Sequence, residues 1–244
     1  MRFAVLGDIH SNLEALNAVL EDLEKLKVDK IFCIGDIVGY GADPAECVKT
    51  AEERFDLAVA GNHDMAVIDR LNLSWFKDSA AKAIVWTQEA LPAKGKEYLN
   101  ELPLIDVYQN IIFAHGSLYQ PEKFYYLAGK TQIMRNFDFQ EDKKICFTGH
   151  SHRPFIALFD DVIGDAFICA NQEVYIEKHK RYLVDVGSVG QPRDGDHRAA
   201  YVLYDEEEGL VKVMRTDYDI DGASAKISSA GLPSEFAERL HNGV

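Results

Sequence analysis

Four apolar runs in this chain break off into a glycine and then a side chain able to hold a metal, and a fifth passes straight into one. They read Phe3-Ala-Val-Leu-Gly-Asp8-Ile-His10, Ile31-Phe-Cys-Ile-Gly35-Asp36, Leu57-Ala-Val-Ala-Gly61-Asn62-His63-Asp64, Ile111-Ile-Phe-Ala-His115 and Ile145-Cys-Phe-Thr-Gly149-His150-Ser-His152. A short continuous apolar run is the pattern of a strand buried on both faces of an α/β sheet. Glycine at its end permits a sharp turn and close approach of backbone to a bound group. Ligands of α/β sheets sit just beyond the carboxyl ends of the strands. Five strand ends therefore aim Asp, Asn and His at one point, which is the pattern of a metal site.

The first 65 residues alternate strand and helix. Ser11-Asn12-Leu13-Glu14 reads as a capping box, followed by a helical stripe of Leu13, Leu16, Val19, Leu20, Leu23 and Leu26. Asp43-Pro44 reads as an N-cap with proline at the first helical position. Strand three is expected to deliver Asn62 and His63. Residues 65–102 break the rhythm: 75–91 and 93–102 read as helices, either a cap over the site or packed helices on its rim. Residues 117–143 are aromatic and irregular, with Tyr119, Phe124, Tyr125, Tyr126, Phe137 and Phe139. They suit a packed loop and helix, or a surface on which a nucleobase stacks. From residue 154 the pattern is β, with strands over 155–159, 166–169, 173–177 and 182–186 and a hairpin of 200–204 with 210–215. Two short helices near 221–229 and 233–242 close the chain. A parallel N-terminal half and an antiparallel C-terminal half predict two packed sheets flanked by helices. The whole, 1–244, is expected to be one domain with candidate cap segments at 65–102 and 117–143.

Composition narrows the partners. The formal charge of −14 opposes broad contact with a polyanion backbone, which excludes duplex nucleic acid but not a small phosphorylated substrate. No apolar stretch approaches the roughly 20 residues needed to span a bilayer, and the first strand starts without a basic leader, so no membrane partner and a cytoplasmic location are expected. Cys33, Cys47, Cys146 and Cys169 form no C-x-x-C pair and read as reduced thiols.

The ligand types choose the metal. Asp8 and His10 are two apart, as are His150 and His152, so in extended backbone both members of each pair face one cluster. Carboxylates, an amide and imidazoles suit Mn, Fe, Zn or Ni, whereas calcium takes only oxygens. A set without thiolate does not read as a structural zinc site. Each motif alone has a plain alternative as a cap or turn. Together, in this order and at strand ends, they do not.

This order of motifs resembles the calcineurin-like metallophosphoesterases, and the chain's size resembles their small prokaryotic YfcE-type phosphodiesterase branch. The resemblance implies a four-layer α/β/β/α sandwich of two mixed sheets with a dinuclear centre between them. It implies that Asp8, His10 and His152 hold one divalent ion, that Asn62, His115 and His150 hold the other, and that Asp36 bridges both. Manganese is the expected metal, with Fe, Zn or Ni as alternatives. His63 matches the family's acid histidine, and Asp64 is an adjacent candidate to orient it. Where phosphoprotein phosphatases continue the second motif with Asp-Arg, this chain reads Gly39-Tyr40, which speaks against protein-phosphatase activity. Tyr40 reads as a packed loop residue or a substrate contact. Arg193, in the loop Gln191-Pro-Arg193, reads as a solvated turn residue or a phosphate ligand. His179, His197 and His241 sit in polar surroundings and read as surface residues.

The expected activity is metal-dependent hydrolysis of a small or nucleotide-like phosphodiester. Two metals roughly 3.5–4 Å apart would activate a water and clamp phosphate oxygens, while His63 would protonate the leaving oxygen. Alternatives are a phosphomonoesterase, a dinucleoside-polyphosphate hydrolase, and a non-catalytic scaffold of the same fold. A homo-oligomer is compatible with the sequence.

Overall fold

Strands buried on both faces dictate a layered molecule, and the computed structural model, which describes residues 1–244, shows four layers. In chain order the elements are β1 (Arg2–Leu6), α1 (Leu13–Leu26), β2 (Lys30–Cys33), α2 (Pro44–Arg54), β3 (Leu57–Ala58), α3 (Asn62–Val67), α4 (Asp78–Ala90), α5 (Ala93–Glu101), β4 (Ile105–Tyr108), β5 (Ile111–Ala114) and α6 (Lys130–Phe139). There follow β6 (Ile145–Thr148), β7 (Phe155–Asp160), β8 (Asp165–Ile168), β9 (Glu173–Tyr175), β10 (Lys180–Asp185), β11 (Ala199–Asp205), β12 (Leu210–Thr216), α7 (Ile220–Ser229) and α8 (Ser234–Asn242).

The strands form two six-stranded mixed sheets, ordered β3-β2-β1-β11-β12-β9 and β4-β5-β6-β10-β7-β8. The side-chain period of two divides each central strand between two cores. On β1, Phe3 and Val5 face the second sheet and join Phe32, Phe113, Phe147 and Tyr182 in the layer between the sheets. Ala4 and Leu6 face outward and pack with Leu16, Leu20 and Leu23 of α1 and with Val48 of α2. On the far side of the second sheet, α6 places Ile133 and Phe137 against Cys146 and Leu183. α7 and α8 pack together through Ile227, Phe236 and Leu240.

Several expectations shift in detail. The parallel and antiparallel strands do not divide into N- and C-terminal sheets: β11 inserts beside β1, so the first sheet is parallel at its β3 end and antiparallel at its β9 end, while the second is parallel only at its centre, through β5, β6 and β10, and antiparallel at both edges. β4 escapes a pattern reading because its polar Asp106 and half-buried neighbours give no apolar run. β3 ends at Ala58, and Asn62 and His63 open α3 instead of ending a strand. The Ser11 capping box does not form. Asn12 caps α1 by accepting the Ala15 N–H, while the Ser11 hydroxyl accepts from Gly39 N–H. Asp43 precedes α2 but makes no cap bond, because its carboxylate pairs with Lys226 at 2.9 Å. The helix expected from residue 75 begins at Asp78, after a 3₁₀ turn over Leu73–Trp75. Segment 65–102 packs on the outer core through Ile84, Leu91 and Leu99, so its helices lie on the rim of the fold. The four cysteines are free, and three are buried, as expected. No helix is long and apolar enough to cross a membrane.

The aromatic layer between the sheets holds the two halves in register. Phe147 is fully buried there and stacks on Phe113 at 5.8 Å. Phe147→Ala is expected to cost about 3–5 kcal/mol of unfolding free energy, measured by urea denaturation. A cost under about 1 kcal/mol would mean this layer does not bear the contact between the sheets.

Candidate metal centre

Six loops supply the polar side chains at one end of the two sheets. The β1 and β2 loops are tied by backbone bonds from Asp8 N–H to Gly35 O and from His10 N–H to Asp36 O. Gly190 N–H reaches back to Asp8 O, and the Ser188 hydroxyl donates to the same oxygen. To turn side chains inward at strand ends, the backbone enters the left-handed region at Asp8, His10, Asp36, His150 and His152, with φ between 50° and 67°. That conformation is uncommon for residues other than glycine and clusters at functional sites.

All seven residues singled out as ligands come together, each with 9% or less of its surface exposed. The Nε2 atoms of His10 and His152 face each other at 3.1 Å, with Asp8 Oδ1 3.2 Å from His152 Nε2. His115 Nε2 lies 3.2 Å from His150 Nδ1 and 3.2 Å from Asn62 Oδ1. Asp36 Oδ2 lies between these groups, 3.6 Å from His10 Nε2 and 3.3 Å from His115 Nε2.

The outer side of each ring explains its orientation. His10 Nδ1 meets Val38 O at 3.2 Å, His115 Nδ1 meets Ile34 O at 2.8 Å, and His152 Nδ1 meets Gln191 O at 2.6 Å. A carbonyl only accepts, so each Nδ1 carries the proton and the Nε2 lone pair of the neutral ring points inward. Such a partner behind a ligand histidine fixes both tautomer and direction. Two lone pairs at 3.1 Å cannot bond one another. Asp8 Oδ1 has no partner although it is buried. A cation satisfies all three atoms, so the donor set fits a divalent metal.

The electrostatics agree. Burial alone would raise the Asp36 carboxyl, yet His115, His63 and His10 hold it well below its usual range. Burial would lower His115, but Asp36 and Asp8 raise it to about 10, so without a cation this ring carries a proton on Nε2 as well, which it would give up on ligating a metal. Two buried carboxylates at this point demand positive charge. Burial, reinforced by neighbouring cations, pushes His150 and His152 down, which keeps them neutral as ligands must be.

His63 stands beside the cluster, its backbone N–H donating to Asp36 Oδ1 at 2.8 Å. Asp64 does not orient it. The Asp64 carboxylate accepts the N–H groups of Val38 and Gly61, clamping two loops, and makes no bond to the His63 ring. The ring instead pairs through Nε2 with the Tyr40 hydroxyl at 3.1 Å, and its buried Nδ1 has no partner. Burial lowers its pKa to about 3. Tyr40 in turn packs on Phe236 of α8 at 4.7 Å. Arg193 is half-buried: its guanidinium lies 5.6 Å over the Tyr40 ring, its Nη2 donates to Gln191 Oε1 at 2.8 Å, and its Nε is buried and unpaired. His179, His197 and His241 are exposed, as expected. The carbonyls behind the histidines, and the Ser151–Asp185 bond of 2.6 Å that braces the His150–His152 loop, carry no sequence signal. Neither does α8, which reaches the site through Phe236 and Arg239.

The cluster opens into a cavity of about 510 Å³. Asp36, Asn62, His63, His150 and His152 form its inner wall, and residues of segments 65–102 and 117–143 form its rim.

A family model for the calcineurin-like phosphoesterase superfamily domain matches residues 1–209. The chain belongs to this superfamily. A curated relative, the uncharacterized protein MJ0912 of Methanocaldococcus jannaschii, is 40% identical over 98% of this chain and 97% of its own length. Among solved structures, a metallophosphoesterase from Sphaerobacter thermophilus is 35% identical with a TM-score of 0.86, covering 100% of this chain and 99% of that one. Protein PH1004 from Pyrococcus horikoshii OT3 shares the fold at 23% identity and a TM-score of 0.79, over 100% of this chain and 98% of that one. Superfamily membership makes the chain a phosphoester-hydrolysing enzyme, and the four-layer architecture is that of the family.

Gly61 tests the fit of the loops around the cluster. A Cβ there would fall on Asp36 Oδ1 and on the Asp36 backbone. Gly61→Ala is expected to displace Asp36 and abolish or greatly weaken metal uptake, read by calorimetric titration of the chelated protein with Mn²⁺. Wild-type uptake in this variant would overturn the fit.

Proposed function

We propose that this calcineurin-like phosphoesterase is a phosphodiesterase with a dinuclear metal centre, acting on a small or nucleotide-like ester. The observation that carries the reading is Asp36 Oδ2, which lies between two groups of inward-facing nitrogens. Asp8, His10 and His152 would hold one ion, Asn62, His115 and His150 the other, with Asp36 shared. The all-nitrogen-and-oxygen donor set favours manganese, with Fe, Zn or Ni as alternatives. When bound, such a pair supplies an activated water and positive charge for the phosphate oxygens.

The chain's own residues account for the rest. His63 stands at the inner wall with Nε2 toward Tyr40, where it would protonate the leaving oxygen. Burial lowers its pKa to about 3, so it would serve as an acid only with the negative charge of a bound phosphoester beside it to favour the protonated ring. Tyr40 sets the ring's direction. Arg193, with an unpaired buried Nε, would bind a phosphate oxygen, a bond strengthened by the dry surroundings. Residues 1–244 would work as one domain, with 65–102 and 117–143 forming the rim of the cavity. Four free cysteines accord with a reducing compartment such as the cytoplasm.

The Gly39-Tyr40 step in place of Asp-Arg favours diesters. One observation favours a second reading, a phosphomonoesterase or dinucleoside-polyphosphate hydrolase. Arg193 brings from another loop the cation that a terminal dianionic phosphate requires.

Turnover of bis(p-nitrophenyl) phosphate and p-nitrophenyl phosphate by chelated protein refilled with Mn²⁺ separates the two. Hydrolysis restored by metal, with the diester faster, is expected; a faster monoester selects the second reading, and no turnover with any divalent ion counts against both. Asp36→Asn and His150→Ala are expected to remove activity with the fold intact by circular dichroism. Full activity at equal metal content in either one would overturn the assignment. His63→Ala is expected to lower kcat by about 10²–10⁴, with the smallest loss on the ester with the best leaving group. A loss that is the same for every leaving group would remove His63 from the acid role.

A further inference from the structure

The outer half of the cavity is built differently from the inner half. Asp36 is the only acidic side chain on the cavity wall, although the chain carries 40 acidic residues against 26 Lys and Arg. Lys77, Lys123, Arg193 and Arg239 all line it. Lys77, Lys123 and Arg193 make no ion pair with a carboxylate, and Arg239 has only Glu235 at 3.9 Å. On an acidic molecule this wall is a concentrated positive field.

The same wall exposes aromatic rings. Trp75, Tyr125 and Tyr126 are each about half exposed, and all three face the cavity. Tyr126 lies flat on His150 at 4.0 Å, which starts the shelf at the metal-ligand cluster. Tyr125 stacks parallel to Tyr119 at 6.2 Å, and Trp75 carries Lys123 Nζ 5.0 Å over its ring. Lys77 follows Trp75 by two residues. Aromatic faces next to unpaired cations are what a base-bearing phosphate recognises: the base stacks while the ammonium groups take the phosphate.

We infer that the outer cavity is a subsite for the nucleoside end of the substrate, and that this end carries a second phosphate besides the one attacked. Arg193 and the inner wall take the scissile phosphate. Trp75, Tyr125 and Tyr126 take the base, and Lys77 and Lys123 take the additional phosphate. An ester with a single phosphate leaves both lysines unused. The inference rests on the phosphoesterase reading of the inner wall, but its recognition chemistry does not need the metals.

The test is therefore binding to chelated protein. In Trp86→Phe protein, Trp75 is the only tryptophan, and its fluorescence reports on AMP, ADP and ribose 5-phosphate. ADP is expected to bind about two- to tenfold tighter than AMP, as two exposed ion pairs allow, and ribose 5-phosphate at least about fivefold weaker than AMP for want of a stacking base. In the double variant Lys77→Ala, Lys123→Ala, both changes being at exposed positions, the ADP preference should vanish while AMP binding stays within about twofold. Equal affinity for AMP and ADP, or an ADP preference that survives in the double variant, overturns the second-phosphate subsite. Ribose 5-phosphate binding as well as AMP overturns the aromatic shelf. Because the readout is free of metal and turnover, an enzyme that hydrolyses chromogenic esters without an ADP preference would sink this inference alone. A protein that prefers ADP but hydrolyses nothing would sink the reading of the inner wall and leave the subsite standing.

Discussion

Two carboxylates, Asp8 and Asp36, sit with essentially none of their surface exposed at the seam between two sheets. Isolated charges in such a place cost many kcal/mol unless other groups compensate. Their surroundings do so only in part: His150 N–H bonds Asp8 Oδ2 and His63 N–H bonds Asp36 Oδ1, while Asp8 Oδ1 has no donor and Asp36 Oδ2 faces the rings of His10 and His115. The loops around them bond to one another before they bond to anything else. The position of α3, the shape of the β1–α1 turn and the return of the chain at Ser188–Gly190 follow from meeting those two groups.

The backbone stores the cost of this arrangement locally. Five of the seven gathered side chains stand in the left-handed region, at something on the order of 1–3 kcal/mol each for such residues. Strain of that size persists only where the surroundings fix the conformation. The surroundings here are the inter-loop bonds, the Asp64 clamp on Val38 and Gly61, and the Ser151–Asp185 brace. A bound cation would offset part of it, so occupancy and rigidity of the loops are coupled.

Much of the inner site was legible in the sequence because ligand chemistry is carried by residue type. Asp, Asn and His after five apolar runs can be read without coordinates, and the layer order follows from strands that are apolar on both faces. What escaped was chemistry carried by backbone or by distant packing. The carbonyls of Ile34, Val38 and Gln191 fix three histidines, and no residue type announces them. Asp64 is adjacent to His63 in sequence but does not bond its ring, because a helix begins at Asn62 and consecutive residues there point in different directions. Tyr40 and Arg193 were visible as candidates, yet their meeting over the same ring depended on loops some 150 residues apart. β4 was lost because it is a half-buried edge with no apolar run.

The pairing of the strands has a consequence for how the molecule is made. β1 lies beside β11, and β6 beside β10, so each central strand waits for a partner from the last third of the chain. Arg2 pairs with Asp205 and Asp8 meets His150 across spans of 203 and 142 residues. Folds dominated by such distant pairings search slowly. During synthesis, the N-terminal ligands emerge long before the strands that place them, so a ribosome-bound fragment has the residues of the centre but no centre. A site built on those late strands is complete only once most of the polypeptide has been made.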